Sequence, residues 1–333
     1  MQQRVDNKKN IFNEQGELTF GGWSKTPVFE YNKDNHPAEN KITENDTYFI
    51  SNSEMAFYLS AEITGNDLNL KVILADYKTE EIFKDSISKR MLLDPISLPT
   101  QDSVGELNYK DKRLALTVTN TIDGKYLKCD FIDFGNIKNL FVKLFLKNVD
   151  GDNMNMVSQF EKNKSCFYYK RFVENYTASG VVRFGGADYD INDDNSLVYF
   201  SKCRYLLSRH RKFQMLCGSA DIGGHKLSVN LASKVGSNKS GSENCYFVDN
   251  KMYKIGRTKV VGNDKSVTGE WEFSTADDNM NLTFKPIKTE NGFLACKIDK
   301  TTFVTGHLNG YLESDEFRIN LKDKIFHMVF TSL

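Results

Sequence analysis

The chain has no net charge to steer it. Forty-four Lys and Arg balance forty-four Asp and Glu. A neutral protein has no overall field drawing it to nucleic acid or to an anionic bilayer, so neither is an expected partner. It also lacks a long apolar run: nothing approaches the ~20 residues a membrane-spanning helix needs. Met1 to Asn10 is charged and amide-rich, without the apolar stretch of a secretory leader. The six cysteines are scattered, with no C-x-x-C pair. Together with the sparse histidines, that spacing gives no metal-ligand pattern, so no metal and no cofactor are expected. Free thiols without a leader point to a reducing, cytoplasmic location. Proline is scarce, at 5 residues, so turns must be made by other residues.

What is present is strand vocabulary. Aromatic and β-branched runs are separated by Gly, Asn, Asp and Ser. Phe167 to Ile191, near the midpoint, shows it best: Phe167-Tyr168-Tyr169-Lys170-Arg171-Phe172, then Val181-Val182-Arg183-Phe184, Gly185-Gly186 and Ala187-Asp188-Tyr189. Gly-Gly between two such runs predicts a hairpin. Asp123-Gly124 predicts another, leading into the alternating run Tyr126 to Asp133. Helix signals are few; Thr79 to Met91 is read as one or two helical turns. The second half continues as a meander through Lys226 to Leu231, Cys245 to Val248, Met280 to Phe284, Phe303 to Tyr311 and Phe317 to Leu321. The expected fold class is all-β with little helix, a set of antiparallel barrels or sandwiches.

Several of these runs together resemble a mainly bacterial family named only as domain of unknown function 2804. The matching residues are Phe167-Tyr168-Tyr169, Ala178 to Gly186, Tyr189, Asn230-Leu231, Gly236, Glu243-Asn244 and the turn Asp249-Asn250-Lys251. Near the start, Phe12 to Leu18, Gly22-Trp23 and Tyr31-Asn32 fit its opening, and Val304-Thr305-Gly306 with Gly310 fit its closing strands. The family is similar to a two-domain lipocalin-like group that includes carotenoid hydratases and tocopherol cyclase. That resemblance implies two lipocalin-like antiparallel β-barrels in tandem, divided here as 1–161 and 162–333, and an apolar small-molecule partner.

One block departs from the family pattern. Members carry D-W-G-R-G-x-W-P and then W-x-W-G-S-A; here only Gly218-Ser219-Ala220 remains, with Met215 and Cys217 in the places of the Trp pair. The departure implies a degenerate or non-catalytic member. Binding of an apolar or isoprenoid-like molecule is therefore the leading expectation. A lipid hydratase or isomerase using Glu243, and a protein-interaction or stress-response module without ligand, are the alternatives.

Candidate site residues follow. Glu243-Asn244 reads either as a polar pair at a barrel mouth, able to protonate or orient a ligand, or as a capped turn with a solvated carboxylate. Asn230 falls in the same matched block. Tyr168 and Tyr169 alternate faces, and an inward Tyr169 either orients a ligand or fills the core. His307 is an acid–base candidate by its ordinary pKa, or a structural strand residue. The basic residues Lys202, Arg204, Arg209, His210, Arg211 and Lys212 read as an anion site or as a solvated face.

Overall fold

A computed structural model describes residues 3–92, 95–160, 163–207, 212–233, 242–262, 266 and 268–332. Among them the chain is almost wholly antiparallel strand, with two 3-10 turns at Lys33–Asn35 and Glu39–Lys41. The expected hairpins form. Gly185 and Gly186 adopt φ of 63° and 90° between the strands Tyr176–Phe184 and Ala187–Ile191. That is the left-handed backbone a two-residue hairpin turn demands, which explains the glycine pair. Glu81–Arg90 corrects the helical reading of Thr79 to Met91: it is an edge strand paired with Asp67–Asp76. Its pattern misled because Asp85 stands between Phe83 and Ile87, on the side that packs on the core. There its carboxylate accepts from Arg113 and from the Gly135 amide.

The chain divides into two compact units, each assembled from separated segments. One comprises Met1–Glu30, Asp152–Phe172 and Leu206–Leu333; the other comprises Tyr31–Gly151 and Val173–Tyr205. These units differ from a cut at residue 161, because Asp152–Phe172 groups with both termini.

The second of these units holds a six-stranded sheet running from Gly105–Lys110 to Ala187–Ile191. A second run of strands has Leu197–Leu206 beside Thr43–Ser51, followed by Met55–Thr64, Asp67–Asp76 and Glu81–Arg90. Alternate residues of both sets, among them Tyr48, Phe57, Leu116, Phe131, Phe134 and Val142, fill a common core. Each large apolar side chain buried this way contributes about 1.5–3 kcal/mol.

The first unit holds a ten-stranded sheet built on Lys212–Ile222, His225–Ser233, Thr301–Glu313 and Arg318–Ser332. Its inner face is filled by Trp271, Phe273, Phe284, Phe326 and Phe330. Asn244 ties the start of Cys245–Val248 to Thr258–Val261 through a 2.9 Å bond from its Nδ2 to Thr258 Oγ1. The same unit contains the paired strands Gly22–Ser24, Met154–Phe160 and Asn163–Val173. This is where the candidate residues gather.

Candidate functional site

On a strand, residues two apart share a face. Tyr168, Lys170 and Phe172 therefore project together, while Phe167 and Tyr169 project the other way. The Tyr168 face meets the outer face of the ten-stranded sheet. Phe172 lies 6.0 Å from Phe247 between ring centres. Lys170 Nζ donates to Asn230 Oδ1 at 3.2 Å and reaches Met215 Sδ at 3.1 Å. Both faces of that strand are thus covered, and its polar groups must find partners inside the protein.

They converge on Glu243. Lys170 and Glu243 form an ion pair with side chains each 3% exposed. Tyr168 donates its hydroxyl proton to Glu243 Oε1 at 3.0 Å. Asn230 Nδ2 donates to the Glu243 carbonyl at 2.8 Å and, more weakly, to Oε2 at 3.4 Å. One carboxylate thus receives an ammonium, a phenol and an amide, all withdrawn from water. Desolvating two charges costs several kcal/mol per ion, and only such a complete set of partners offsets it.

The sheet beneath carries a row of reactive side chains. Lys254, Cys245, Asn230, Cys217, His327 and Thr305 are successive cross-strand neighbours. His327 is 2% exposed. Burial alone pushes its imidazole down to about 3, so it is neutral. Its Nδ1 sits 3.2 Å from Thr305 Oγ1, and its ring stacks on Phe303 with centres 5.0 Å apart. Ser219 and Ser228 share a 2.6 Å hydrogen bond on the same face.

The expected site residues divide accordingly. Glu243 and Asn230 come together. Asn244 is buried but structural in its contacts: besides Thr258, its Oδ1 accepts from the Ala232 amide at 2.8 Å. Tyr169 is buried on the opposite strand face from Tyr168. His307 is part-exposed, with Nδ1 3.3 Å from the Asp323 carbonyl, and does not join the cluster. Lys170 is the residue missed by sequence reasoning. The spacing Tyr168-x-Lys170-x-Phe172 puts it on one face with two aromatic residues, but only the packing of the sheet shows that this face is covered.

The basic cluster is corrected in part. Lys202 and Arg204 are not a solvated face: both are buried within the same unit and paired. Lys202 Nζ meets Asp102 at 2.9 Å, while Arg204 meets Asp46 at 2.7 Å and Glu44 at 3.1 Å. Arg209, His210, Arg211 and Gly236 lie outside the described residues, as does the Lys212 side chain. Among the described residues no helix is long and apolar enough to cross a membrane.

The comparisons agree on the fold. The family described as "Domain of unknown function (DUF2804)" matches residues 2–325. No curated protein matches the chain. Among solved structures, one titled as an AttH protein from Nitrosomonas europaea is similar at 10% identity and TM-score 0.55, over 91% of this chain and 96% of its own. Kievitone hydratase from Nectria haematococca is similar at 9% identity and TM-score 0.51, over 97% of this chain and 98% of its own. At such identities the shared property is the lipocalin-like β-barrel fold.

Proposed function

Since the chain belongs to the domain of unknown function 2804 family, we propose that it is a hydratase- or isomerase-type enzyme acting on an apolar small molecule, with Glu243 as its acid–base group. The observation that carries this reading is the convergence of Lys170, Tyr168 and Asn230 on one buried carboxylate. A barrel of this size needs no such cluster to fold, and apolar residues of similar volume hold a core at least as well. The hydratase among its fold neighbours supports the same reading.

In this reading each residue has a role. Glu243 takes a proton from water, the hydroxyl adds to one carbon of a double bond, and the proton is returned to the other carbon. Isomerisation would use the same group to move a proton between two carbons. Tyr168 holds Oε1 and relays the proton. Lys170 opposes the carboxylate's charge, and Asn230 fixes both side chains. The reading includes a cytoplasmic location, supported by six free cysteines.

A second reading is a non-catalytic binder of the same class of molecule. It is favoured by Met215, which stands where the family pattern has Trp and touches Lys170. One experiment separates the two. Purified protein is incubated in heavy water with apolar alkenes and enones, oleic acid and chalcone among them. Mass spectrometry then follows hydration and deuterium uptake. Turnover that Glu243→Gln abolishes without unfolding supports the enzyme. Turnover unchanged by Glu243→Gln removes Glu243 from the mechanism, and retention of the compounds without turnover favours the binder.

A further inference from the structure

Lys254 lies at the end of the same row as Asn230, as the cross-strand partner of Cys245. Its ammonium is held differently from that of Lys170. Nζ donates to Ser242 Oγ at 3.1 Å, to the Asn244 carbonyl at 2.9 Å and to the Ile255 carbonyl at 2.7 Å. All three acceptors are neutral. Two of them belong to the residues on either side of Glu243, so the amine is fastened to the segment that carries the acid–base group. The Trp23 ring stands 5.9 Å away and gives the amine an apolar wall. Unlike Lys170, Lys254 is only half-buried. It is also one of the residues lining a cleft of about 220 Å³, with Tyr246, Tyr253, Ile255 and Gly256.

We propose that Lys254 is a covalent site, whose ε-amine condenses with the carbonyl carbon of an apolar conjugated aldehyde or ketone. The choice of ligand class rests on the acid–base reading of Glu243; the chemistry of the amine does not. In the step the nitrogen forms a double bond to the carbonyl carbon. The carbonyl oxygen leaves as water, carrying the two protons of the neutral amine. The resulting imine, once protonated, withdraws electrons from a conjugated double bond. It thereby prepares the far carbon for water delivered by Glu243. The environment raises the share of the nucleophilic form: burial lowers the Lys254 pKa to about 8, partly countered by Cys245 and Glu243. Near neutral pH its neutral fraction exceeds that of an ordinary lysine by on the order of 100-fold.

The test is reductive trapping on the full chain. Protein at about pH 7.5 is incubated briefly with cinnamaldehyde and cyanoborohydride, and labelled lysines are located by peptide mass spectrometry. Lys254 is expected to label at least roughly tenfold faster than the exposed Lys285, because of its larger neutral fraction. That excess should shrink as pH rises toward about 10, where ordinary lysines also lose their protons. Lys254→Arg, which keeps donors to the same acceptors, should remove the fast-labelled peptide and leave the others. Equal labelling of Lys254 and Lys285 would overturn the proposal, and that comparison needs no variant to fold. Trapping also needs no turnover. A fast-labelled Lys254 alongside an inconsequential Glu243→Gln would retain the covalent site and discard the acid–base assignment.

Discussion

Removing the cation from the buried pair tests the site most directly. Lys170→Met keeps the length of the side chain and deletes its charge. Glu243 is then left 3% exposed with no ammonium beside it. Tyr168 and Asn230 still donate to the carboxylate, so its hydrogen bonds are only partly lost. The electrostatic loss is recovered only in part, because a carboxylate this deeply buried is poorly solvated. Breaking one partner of such a pair costs about 3–5 kcal/mol, a large share of the ~5–15 kcal/mol that holds an ordinary domain together. The double variant Lys170→Met with Glu243→Gln removes both charges and keeps an acceptor for Tyr168. It should therefore recover about 2–3 kcal/mol of the single-variant loss, a coupling well above that of a surface pair. Urea unfolding followed by tryptophan fluorescence is the assay. Both tryptophans, Trp23 and Trp271, lie in the unit that contains the pair, so the signal reports on that unit. A single-variant loss below ~1 kcal/mol with no coupling is what a solvated pair gives. That result would refute the buried-cluster argument and the acid–base reading built on it.

Three further outcomes are expected. His327 is held near 3 when folded and near 6.5 when unfolded, so the unfolded chain binds the extra proton as pH falls. Its contribution to stability is complete above about pH 6.5 and declines toward about pH 3, amounting to roughly 2 kcal/mol lost by pH 5; urea melts of His327→Gln should lack that part of the acid slope, and an unchanged slope would contradict it. Arg204→Met takes the guanidinium from Asp46, 1% exposed, and leaves Glu44, 4% exposed, with Lys33 at 3.1 Å; it should cost about 3–5 kcal/mol in the other unit, read by circular dichroism melting, and a change under ~1 kcal/mol would show that those charges are solvated. Gly180→Ala meets two obstacles, a φ of 133° and a Cβ that would sit 2.1 Å from the Lys143 carbonyl oxygen; the backbone strain alone is worth about 1–3 kcal/mol, and a fully stable variant would mean that the strand Tyr176–Phe184 pairs differently.

Gly180 shows what a sequence of this kind makes legible. It stands in the block that carries the family resemblance, and its reason is steric: the neighbouring strand passes too close for any side chain. Gly185 and Gly186 are fixed by their turn, and Gly310 by the Asn281 carbonyl, 2.0 Å from where a Cβ would be. Strand runs, hairpins and matched glycines are local demands, so they can be read one segment at a time. The site is of another kind. Lys170 sits in an aromatic run, and alternation assigns a lysine there to a wet face. It fails because Met154–Phe160, Asn163–Val173 and Gly22–Ser24 form a layer whose Lys170 face is covered by the ten-stranded sheet. Nothing local announces a strand with two covered faces. Lys202 and Arg204 were misread for a related reason: Asp102 lies 100 positions from Lys202 and Asp46 lies 158 from Arg204, while Glu44 meets Arg204 through strand register. The one long-range hint was the altered block. Met215 and Cys217 replace large aromatic residues on a strand face that also carries Asn230's partner row, and Met215 touches Lys170. A thioether is smaller and more adaptable than an indole. The departure from the pattern that the resemblance implies therefore falls against the buried ion pair.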